Sequence, residues 1–290
     1  MTIQQLSQEI GIGIDTLRIW ERRYGFPIPG RDARGHRTYS KQHLEELRVV
    51  KNLQNFGQRP GKIFALSPEQ RRQLLDELTA QSLPEDDSIK RLVYELAPQQ
   101  IAAELADQRQ QRGLTDFIYF YAVPLLQLLD HGWSSGQLSI AREHLISDQL
   151  ENLLRHELSN NSSTSEPSIL FLTLSGERHK LGLLLAAVLF EQAGIPVSWL
   201  SEELPLSEIP ALAEDLGVAG VALSFSGHYG VRHAKQALSS LRKSLNPKIK
   251  IIAGGRAVRQ VTSLTNLLIC TDLQQIELLA KRHFPKTDHK

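Results

Sequence analysis

The stretch LTLSGERHKLGLLLAAVLFEQAG, Leu172–Gly194, opens on an apolar run and closes on a glycine. This pattern predicts a buried strand that leads into a long apolar helix, with Gly194 at the end of the helix. Glu177, His179 and Gly182 lie at the seam between the two elements. An acid, a histidine and a glycine at the carboxyl end of a strand are candidates for a functional site.

Five apolar, β-rich runs follow the chain from Ser168 onward, and amphipathic segments separate them: SILFLTL, IPVSWL, VAGVALSF, KIKIIAGG and LLICT. Continuous apolar runs predict strands that are buried on both faces. We therefore expect a five-stranded parallel sheet with helices on either side, in a Rossmann-like (flavodoxin-like) fold. Ligands of such sheets bind beyond the carboxyl ends of the strands. His179, Ser224–Ser226 and Gly254–Gly255 all lie at or just past predicted strand ends.

Two helical blocks precede this predicted sheet. Residues 66–158 have helical periodicity, which predicts a four-helix bundle. The polar linker SNNSSTSEP, Ser159–Pro167, follows it. We therefore expect a multidomain α and α/β protein with domains at residues 1–65, 66–158 and 168–290.

Charge is distributed unevenly over the 290 residues. Residues 1–64 carry eleven Lys or Arg against six Asp or Glu, whereas residues 65–160 carry eight against fifteen. This asymmetry indicates that only the N-terminal end meets a polyanion. No apolar run is long enough to span a membrane, and the protein is expected to be cytoplasmic. The single cysteine, Cys270, excludes an intrachain disulfide and a cysteine-based zinc site.

The N-terminal block has the order of a helix-turn-helix. The helix TIQQLSQEIG, with Thr2 as its N-cap, is followed by a tight turn and by TLRIWERRYG, which Asp15 is expected to cap. In the second helix Arg18 and Arg22 share one face, while Leu17 and Trp20 point to another. A solvated basic face on a small helical domain is the alternative interpretation.

The segment RDARGHRTYS predicts a wing with Gly35 at its tip, and Arg37 and Tyr39 on one side of a strand suit phosphate contact. The whole block resembles the MerR family of winged-helix regulators over about 65 residues, most specifically in TLRIWERR and GHRTY. The resemblance implies sequence-specific binding of a near-palindromic operator by a dimer. The residues expected to contact DNA are Thr16, Arg18, Arg22, Arg37 and Tyr39.

The seam residues belong to a longer pattern. Forty-one residues separate Gly182 from Ser224-Phe225-Ser226, and 27 more precede Gly254-Gly255. This E-x-H-x-x-G, S-x-S and G-G pattern resembles the cobalamin-binding signature of methionine synthase and the base-off mutases. The alternative is an ordinary helix start with a buried histidine.

The signature implies a role for each of its residues. His179 would ligate cobalt from the lower face, and Glu177 would accept a hydrogen bond from the other ring nitrogen. Gly182 would leave room for the corrin ring. The displaced nucleotide tail would lie against Ser224, Ser226, Gly254 and Gly255.

The helical block contains Trp133, ten residues before the dipeptide Glu143-His144. With the features above, this spacing resembles the CarH-type light-responsive repressors of the MerR family, along nearly the whole chain. The resemblance implies that Trp133, Glu143 and His144 border the upper axial 5′-deoxyadenosyl group of adenosylcobalamin. The residue after the tryptophan is often a histidine in that family and is Ser134 here, which puts trapping of the photoproduct by a second histidine in doubt.

These features predict a transcriptional regulator that is not an enzyme. Oligomerisation, to a dimer or tetramer, and binding of operator DNA would depend on adenosylcobalamin and be reversed by light. The alternatives are a cobalamin-level sensor without photochemistry, a cofactor-free repressor on the same scaffold, and a corrinoid methyltransferase subunit. An arginine-rich helix-turn-helix argues against the last of these.

Overall fold

The computed structural model describes residues 1–80, 86–134, 137–159, 167–177, 180–226, 229–259, 261 and 265–285. The chain divides into two compact units, one of Met1–Leu96 with Pro124–His144 and the other of Ala97–Val123 with Leu145–Lys290. The division into three domains stays a prediction. Among the described helices, none combines the length and the apolar character that a membrane span requires.

The first unit opens with the elements of a winged helix-turn-helix: α1 Ile3–Ile10, α2 Ile14–Tyr24, β1 Gly30–Arg31, β2 Arg37–Thr38, α3 Lys41–Asn55 and α4 Pro60–Phe64. Thr2 is the N-cap of α1 and forms a capping box with Gln5, as the sequence predicts. Asp15 is not the cap of α2, because that helix begins at Ile14, two residues before the predicted Thr16, with Gly13 as its N-cap. The Asp15 carboxylate lies in the first turn, where it complements the helix dipole.

The core of this winged domain is apolar and draws on each of its helices. Leu6 of α1, Leu17 of α2 and Leu47 of α3 have no exposed surface. The rings of Trp20 and Phe64 pack edge to face, with 5.1 Å between their centroids. These contacts fix the orientation of α2 in the domain.

The middle of the chain is helical, as its periodicity predicts. Its helices are α5 Pro68–Ala80, α6 Asp87–Tyr94, α7 Ile101–Arg112, α8 Leu114–Phe117, α9 Val123–Ser134 and α10 Ile140–Ser159. A 3-10 turn at Pro98–Gln100 precedes α7, and a π-helical turn at Ile118–Ala122 joins α8 to α9.

The second unit contains the predicted five-stranded sheet, and all four strand pairs are parallel. Its strands lie in the order β4-β3-β5-β6-β7. They are β3 Ile169–Leu174, β4 Val197–Leu204, β5 Gly220–Ser224, β6 Lys250–Gly254 and β7 Leu267–Cys270. Helices α11 Leu181–Gln192, α12 Ile209–Asp215, α13 Val231–Ser244 and α14 Ile276–His283 follow β3, β4, β5 and β7 in turn.

Both faces of the sheet are covered, which explains the continuous apolar strands. One face, with Leu172, Leu223 and Ala253, packs on α12 and α13. On the opposite face Phe171 meets Phe190 of α11, with 5.6 Å between ring centroids. β3 itself is buried along its whole length.

The strand order places a topological switch between β3 and β5, because the chain leaves β3 toward β4 and later returns to pair β5 on the other side of β3. The loops that follow these strands diverge at such a point and leave a crevice beyond the carboxyl ends. Glu177 follows β3 there, and Ser226 follows β5.

Gly254 and Gly255 lie where neighbouring strand ends approach each other. A Cβ on Gly254 would lie 2.9 Å from the carbonyl oxygen of Cys270. A Cβ on Gly255, whose φ is +92°, would lie 2.3 Å from the carbonyl oxygen of Phe225. Close packing of this chain's own backbone therefore requires a glycine at both positions, and their predicted contact with a nucleotide tail stays a prediction.

Replacing Gly255 with alanine is expected to lower the free energy of unfolding by about 2–4 kcal/mol, because the new Cβ clashes and the backbone is strained at positive φ. Urea unfolding followed by circular dichroism measures the loss. Gly182→Ala is the matched control. A Cβ at this helical position has no neighbour within 4 Å, so stability should rise by about 0.5–1 kcal/mol. Equal stability of Gly255→Ala and wild type would contradict the interpretation that Gly255 is required by its close approach to the Phe225 backbone.

Candidate functional site

Helix α2 separates polar from apolar residues. Thr16, Arg18 and Arg22 are exposed, and Leu17 and Trp20 are buried in the domain core. The helix therefore presents its arginines to solvent on a rigid support, which is the arrangement that a helix placed in the major groove requires.

The wing is a short antiparallel hairpin. Arg31 pairs with Arg37, and Gly35 at φ +81° makes the turn between the strands. The carboxylate of Asp32 accepts hydrogen bonds from the backbone N–H groups of Arg34 and His36, at 2.9 and 2.8 Å. These bonds, above all the one from His36, lower the pKa of Asp32 and hold the turn in shape. Arg37 projects from this hairpin and is exposed.

Tyr39 does not lie beside Arg37 on the exposed side of the wing. Its side chain is only 3% exposed, and its hydroxyl donates to the carboxylate of Glu21 in α2 at 2.5 Å. Burial, and then this bond, raise the pKa of Tyr39. The predicted phosphate contact by the Tyr39 hydroxyl is therefore corrected: the group is already engaged in joining the wing to α2.

Glu143 and His144 lie in the first turn of α10, and their side chains are hydrogen-bonded to each other. The preceding residue fixes their place in the first unit. The Arg142 guanidinium donates to the carbonyl oxygens of Leu92 and Leu96, at 2.9 and 2.7 Å, at the end of α6. Arg142 could not be predicted from the sequence, because an arginine beside a Glu-His pair carries no signal of capping a distant helix.

Trp133 lies in the last turn of α9, and its side chain is outside the described residues. Gly132 allows this end of α9 to approach its neighbours: a Cβ there would lie 3.1 Å from Leu138 and 3.2 Å from the Tyr94 hydroxyl. The Leu138 N–H also donates to the Gly132 carbonyl at 2.8 Å. The backbone at Trp133 is thus fixed within the first unit.

In the second unit the seam residues meet at the crevice. Glu177 is buried, and its carboxylate accepts a hydrogen bond of 2.7 Å from the backbone N–H of Ser226. The N–H of Gly176 donates to Glu203 at the end of β4, also at 2.7 Å. The loop after β3 is therefore held from both neighbouring strands.

The structure brings together five of the predicted cofactor residues. Ser224 and Gly254 are register partners at the ends of β5 and β6, and Gly255 packs on the backbone between Ser224 and Ser226. Glu177 joins this group through Ser226. Gly182, the second residue of α11, is exposed, whereas His179 lies outside the described residues. The roles assigned to these side chains stay predictions.

An open cleft of about 470 Å³ borders this group on the α13 side of the sheet, between Gly176, Leu206 and Tyr229 and the helix residues His233, Gln236, Ala237 and Ser240. The Tyr229 ring packs edge to face on Phe225, with 5.2 Å between centroids. Burial, and secondly the charge of Glu177, raise the pKa of Tyr229. The charge of the carboxylate therefore acts on a residue that lines this cleft.

Comparison with known proteins identifies the class of the N-terminal domain. Residues 1–67 match the family model described as "MerR HTH family regulatory protein". The chain is also 34% identical over 55 residues to the mercuric resistance operon regulatory protein of Bacillus cereus, a match that covers 19% of this chain and 42% of that protein.

The most extensive matches among curated proteins cover most of the chain. It is 25% identical to the HTH-type transcriptional repressor CarH of Myxococcus xanthus, over 86% of each chain. It is also 25% identical to the repressor CarA of the same organism, over 90% of this chain and 88% of that protein. The chain thus resembles the CarH-type regulators of the MerR family, which confirms the resemblance drawn from its sequence.

Two solved structures also align with the chain. The methanol:cobalamin methyltransferase complex MtaBC of Methanosarcina barkeri has a TM-score of 0.37 and 16% identity, over 73% of this chain and 86% of that chain. A cobalamin-binding protein of Desulfitobacterium hafniense has a TM-score of 0.35 and 15% identity, over 68% and 96%.

Tyr39→Phe is expected to lower the free energy of unfolding by about 1–2 kcal/mol, because the Glu21 carboxylate loses a hydrogen bond. Thermal unfolding of the full chain measures it, with Tyr24→Phe, a half-buried tyrosine of the same domain, as control. The dependence of duplex affinity on salt should keep its slope. Duplex affinity should also stay unchanged, whereas a similar loss of affinity at every salt concentration would instead place the Tyr39 hydroxyl on a phosphate.

Proposed function

We propose that this chain is a cobalamin-binding transcriptional regulator without enzymatic activity, which binds operator DNA as an oligomer in the cytoplasm. The observation that carries the proposal is the hydrogen bond from the Ser226 N–H to the buried Glu177 carboxylate, at the switch point of a parallel sheet. The same chain has a MerR-type domain over residues 1–67. The names of CarH and CarA as transcriptional repressors support the regulatory half.

The DNA-binding half rests on exposed cations with a rigid support. Arg18 and Arg22 project from α2, and Arg37 projects from the wing. Because Glu21 accepts from Tyr39 and lies 3.8 Å from Arg37, helix and wing are tied together. Thr16 and the three arginines then approach the duplex as one surface, with α2 in the major groove and the wing on phosphates.

The residues at the crevice fit a cobalamin. Glu177 is a buried carboxylate two residues before His179, and an orienting partner of a metal-binding imidazole is most often a carboxylate. A Cβ on Gly182 would have no neighbour within 4 Å, and this open space suits the corrin ring. His179 would ligate the cobalt. The carboxyl ends of β5 and β6, with Ser224, Ser226, Gly254 and Gly255, would hold the nucleotide tail.

The adenosyl form and the light response are finer parts of the proposal, and they rest on the resemblance. Trp133, Glu143 and His144 would border the upper axial group. When bound, adenosylcobalamin supplies a cobalt–carbon bond that light breaks. The protein's part is to couple the state of the cofactor to self-association, as a dimer or tetramer, and thereby to the affinity for operator DNA.

Ser134 favours a second candidate function. The position after Trp133 carries no imidazole that could replace a lost upper ligand. A sensor of cobalamin concentration, without photochemistry, would need the lower-face residues and the DNA-binding domain but not such a group.

Alanine at Arg18, Arg22 or Arg37 is expected to weaken binding of a duplex that the wild type selects from a random library. The slope of log affinity against log salt should fall by about 1 for each phosphate that the variant no longer neutralises. Fluorescence anisotropy over a salt series measures it. Lys281→Ala, which removes an equal charge from α14, is the control. Slopes unchanged in all three variants would contradict the proposed DNA-contacting surface.

His179→Ala is expected to change the visible absorption spectrum of bound adenosylcobalamin in the dark, because the lower axial ligand is removed, and to weaken binding by about tenfold or more. Titration followed by absorbance measures both effects. His156→Ala, a histidine of α10, is the control. Wild type that binds no cobalamin, or a His179→Ala spectrum identical to that of wild type, would overturn the assignment of the cobalt ligand.

A further inference from the structure

An ion pair joins helix α10 to the residue that precedes α11. The Lys180 ammonium lies 2.9 Å from the Glu151 carboxylate. The two side chains are 36% and 15% exposed, so the pair is partly shielded from water. Twenty-eight residues separate the partners along the chain, and the contact therefore links two separate elements of the second unit.

This pair anchors one end of a very short segment. Glu177 is held at the other end by the Ser226 N–H, at 2.7 Å. Three peptide units separate the Cα atoms of Glu177 and Lys180, so their distance is at most about 11 Å. The contacts of Glu177 and Lys180 therefore hold the two residues that flank Arg178 and His179, which themselves lie outside the described residues.

Lys180 also ties this segment to α11. It is the N-cap of the helix, and its carbonyl accepts the first helical hydrogen bond, from Leu184, at 2.9 Å. The Glu151 contact therefore fixes both the end of the segment and the start of the helix that carries Gly182.

Glu151 is also held in place by a second contact, which does not involve Lys180. The Arg155 guanidinium, one turn further along α10, donates to the same carboxylate oxygen at 2.7–2.8 Å. The helix is fixed in turn by Arg109 of α7, which donates to both oxygens of Glu157 at 2.7 and 2.8 Å. The Glu151 carboxylate is thus a preorganised acceptor on a rigid support.

We propose that Glu151 is a positioning residue for His179 and acts through Lys180. That the positioned histidine ligates cobalt rests on the proposed function. The positioning by Glu151 does not depend on it. Fixing Lys180 and the start of α11 before the cofactor arrives would lower the entropy that ligation by the adjacent His179 must overcome. Through Glu151 and Lys180, the position of His179 would then be coupled to helix α10.

The first test uses the cofactor-free full chain. In Glu151→Gln and in Lys180→Gln, backbone amides from residue 178 to residue 184 should exchange hydrogen about two- to fivefold faster, the range for a partly exposed ion pair. The double variant should exchange no faster than Glu151→Gln, because that variant has already lost the contact with Lys180. Lys180→Arg should restore slow exchange. Asp148→Asn, which changes an exposed carboxylate on the same helix, is the matched control and should leave this segment unchanged.

Unchanged exchange in both single variants would overturn the inference. So would an equal effect in Asp148→Asn, which would mean that any loss of charge on α10 speeds exchange. Both outcomes are measured without cobalamin.

The second test titrates the same variants with adenosylcobalamin in the dark. Affinity should fall by about the same two- to fivefold, and the spectrum at saturation should equal that of wild type, because His179 is still present. A spectrum like that of His179→Ala would make Glu151 more than a positioning residue and contradict the proposal. Wild type that binds no cobalamin would contradict the proposed function. The exchange rates would still decide whether Glu151 positions the segment.

Discussion

The hydrogen bond from the Ser226 N–H to the Glu177 carboxylate is the contact on which the candidate site depends. A buried carboxylate needs such a donor, because an unpaired charge inside a protein is strongly unfavourable. The two residues follow β3 and β5, the strands between which the topology reverses. The bond thus spans the crevice where parallel sheets bind ligands, and it fixes the loop that leads to His179. With Lys180 on Glu151, it defines where that loop begins and ends.

Supporting contacts of the same kind occur in the first unit. Arg142 binds the end of α6 and so places Glu143 and His144, and Gly132 lets the end of α9 pack closely beside Tyr94. In the winged domain, Tyr39 and Glu21 join the helix to the wing. In each case a residue that touches no ligand sets the position of one that is proposed to do so.

The sequence predicted those features that follow from local pattern. Runs such as SILFLTL are apolar throughout because β3 is covered on both faces, and the periodicity of α2 separates Leu17 and Trp20 from Arg18 and Arg22. The burial of Tyr39 was not predicted, because the alternation of side chains along a two-residue strand says little about which of them are buried. The packing role of Gly254 and Gly255 could not be predicted, because a Cβ there would clash with Cys270 and Phe225, which only the sheet register brings close. Pairs such as Glu151 and Lys180 have no periodicity, so the fold alone reveals them.

The most direct test of the account is the affinity of the full chain for a duplex selected from a random library, measured by anisotropy without cofactor, with adenosylcobalamin in the dark, and after green light. The account predicts that dark adenosylcobalamin tightens binding by about tenfold or more, a coupling of ordinary size for a regulated protein, and that light reverses the gain. Tightening without reversal would retain the cobalamin sensor and exclude the light response. Equal affinity in all three states would contradict the central claim that cofactor state governs DNA binding.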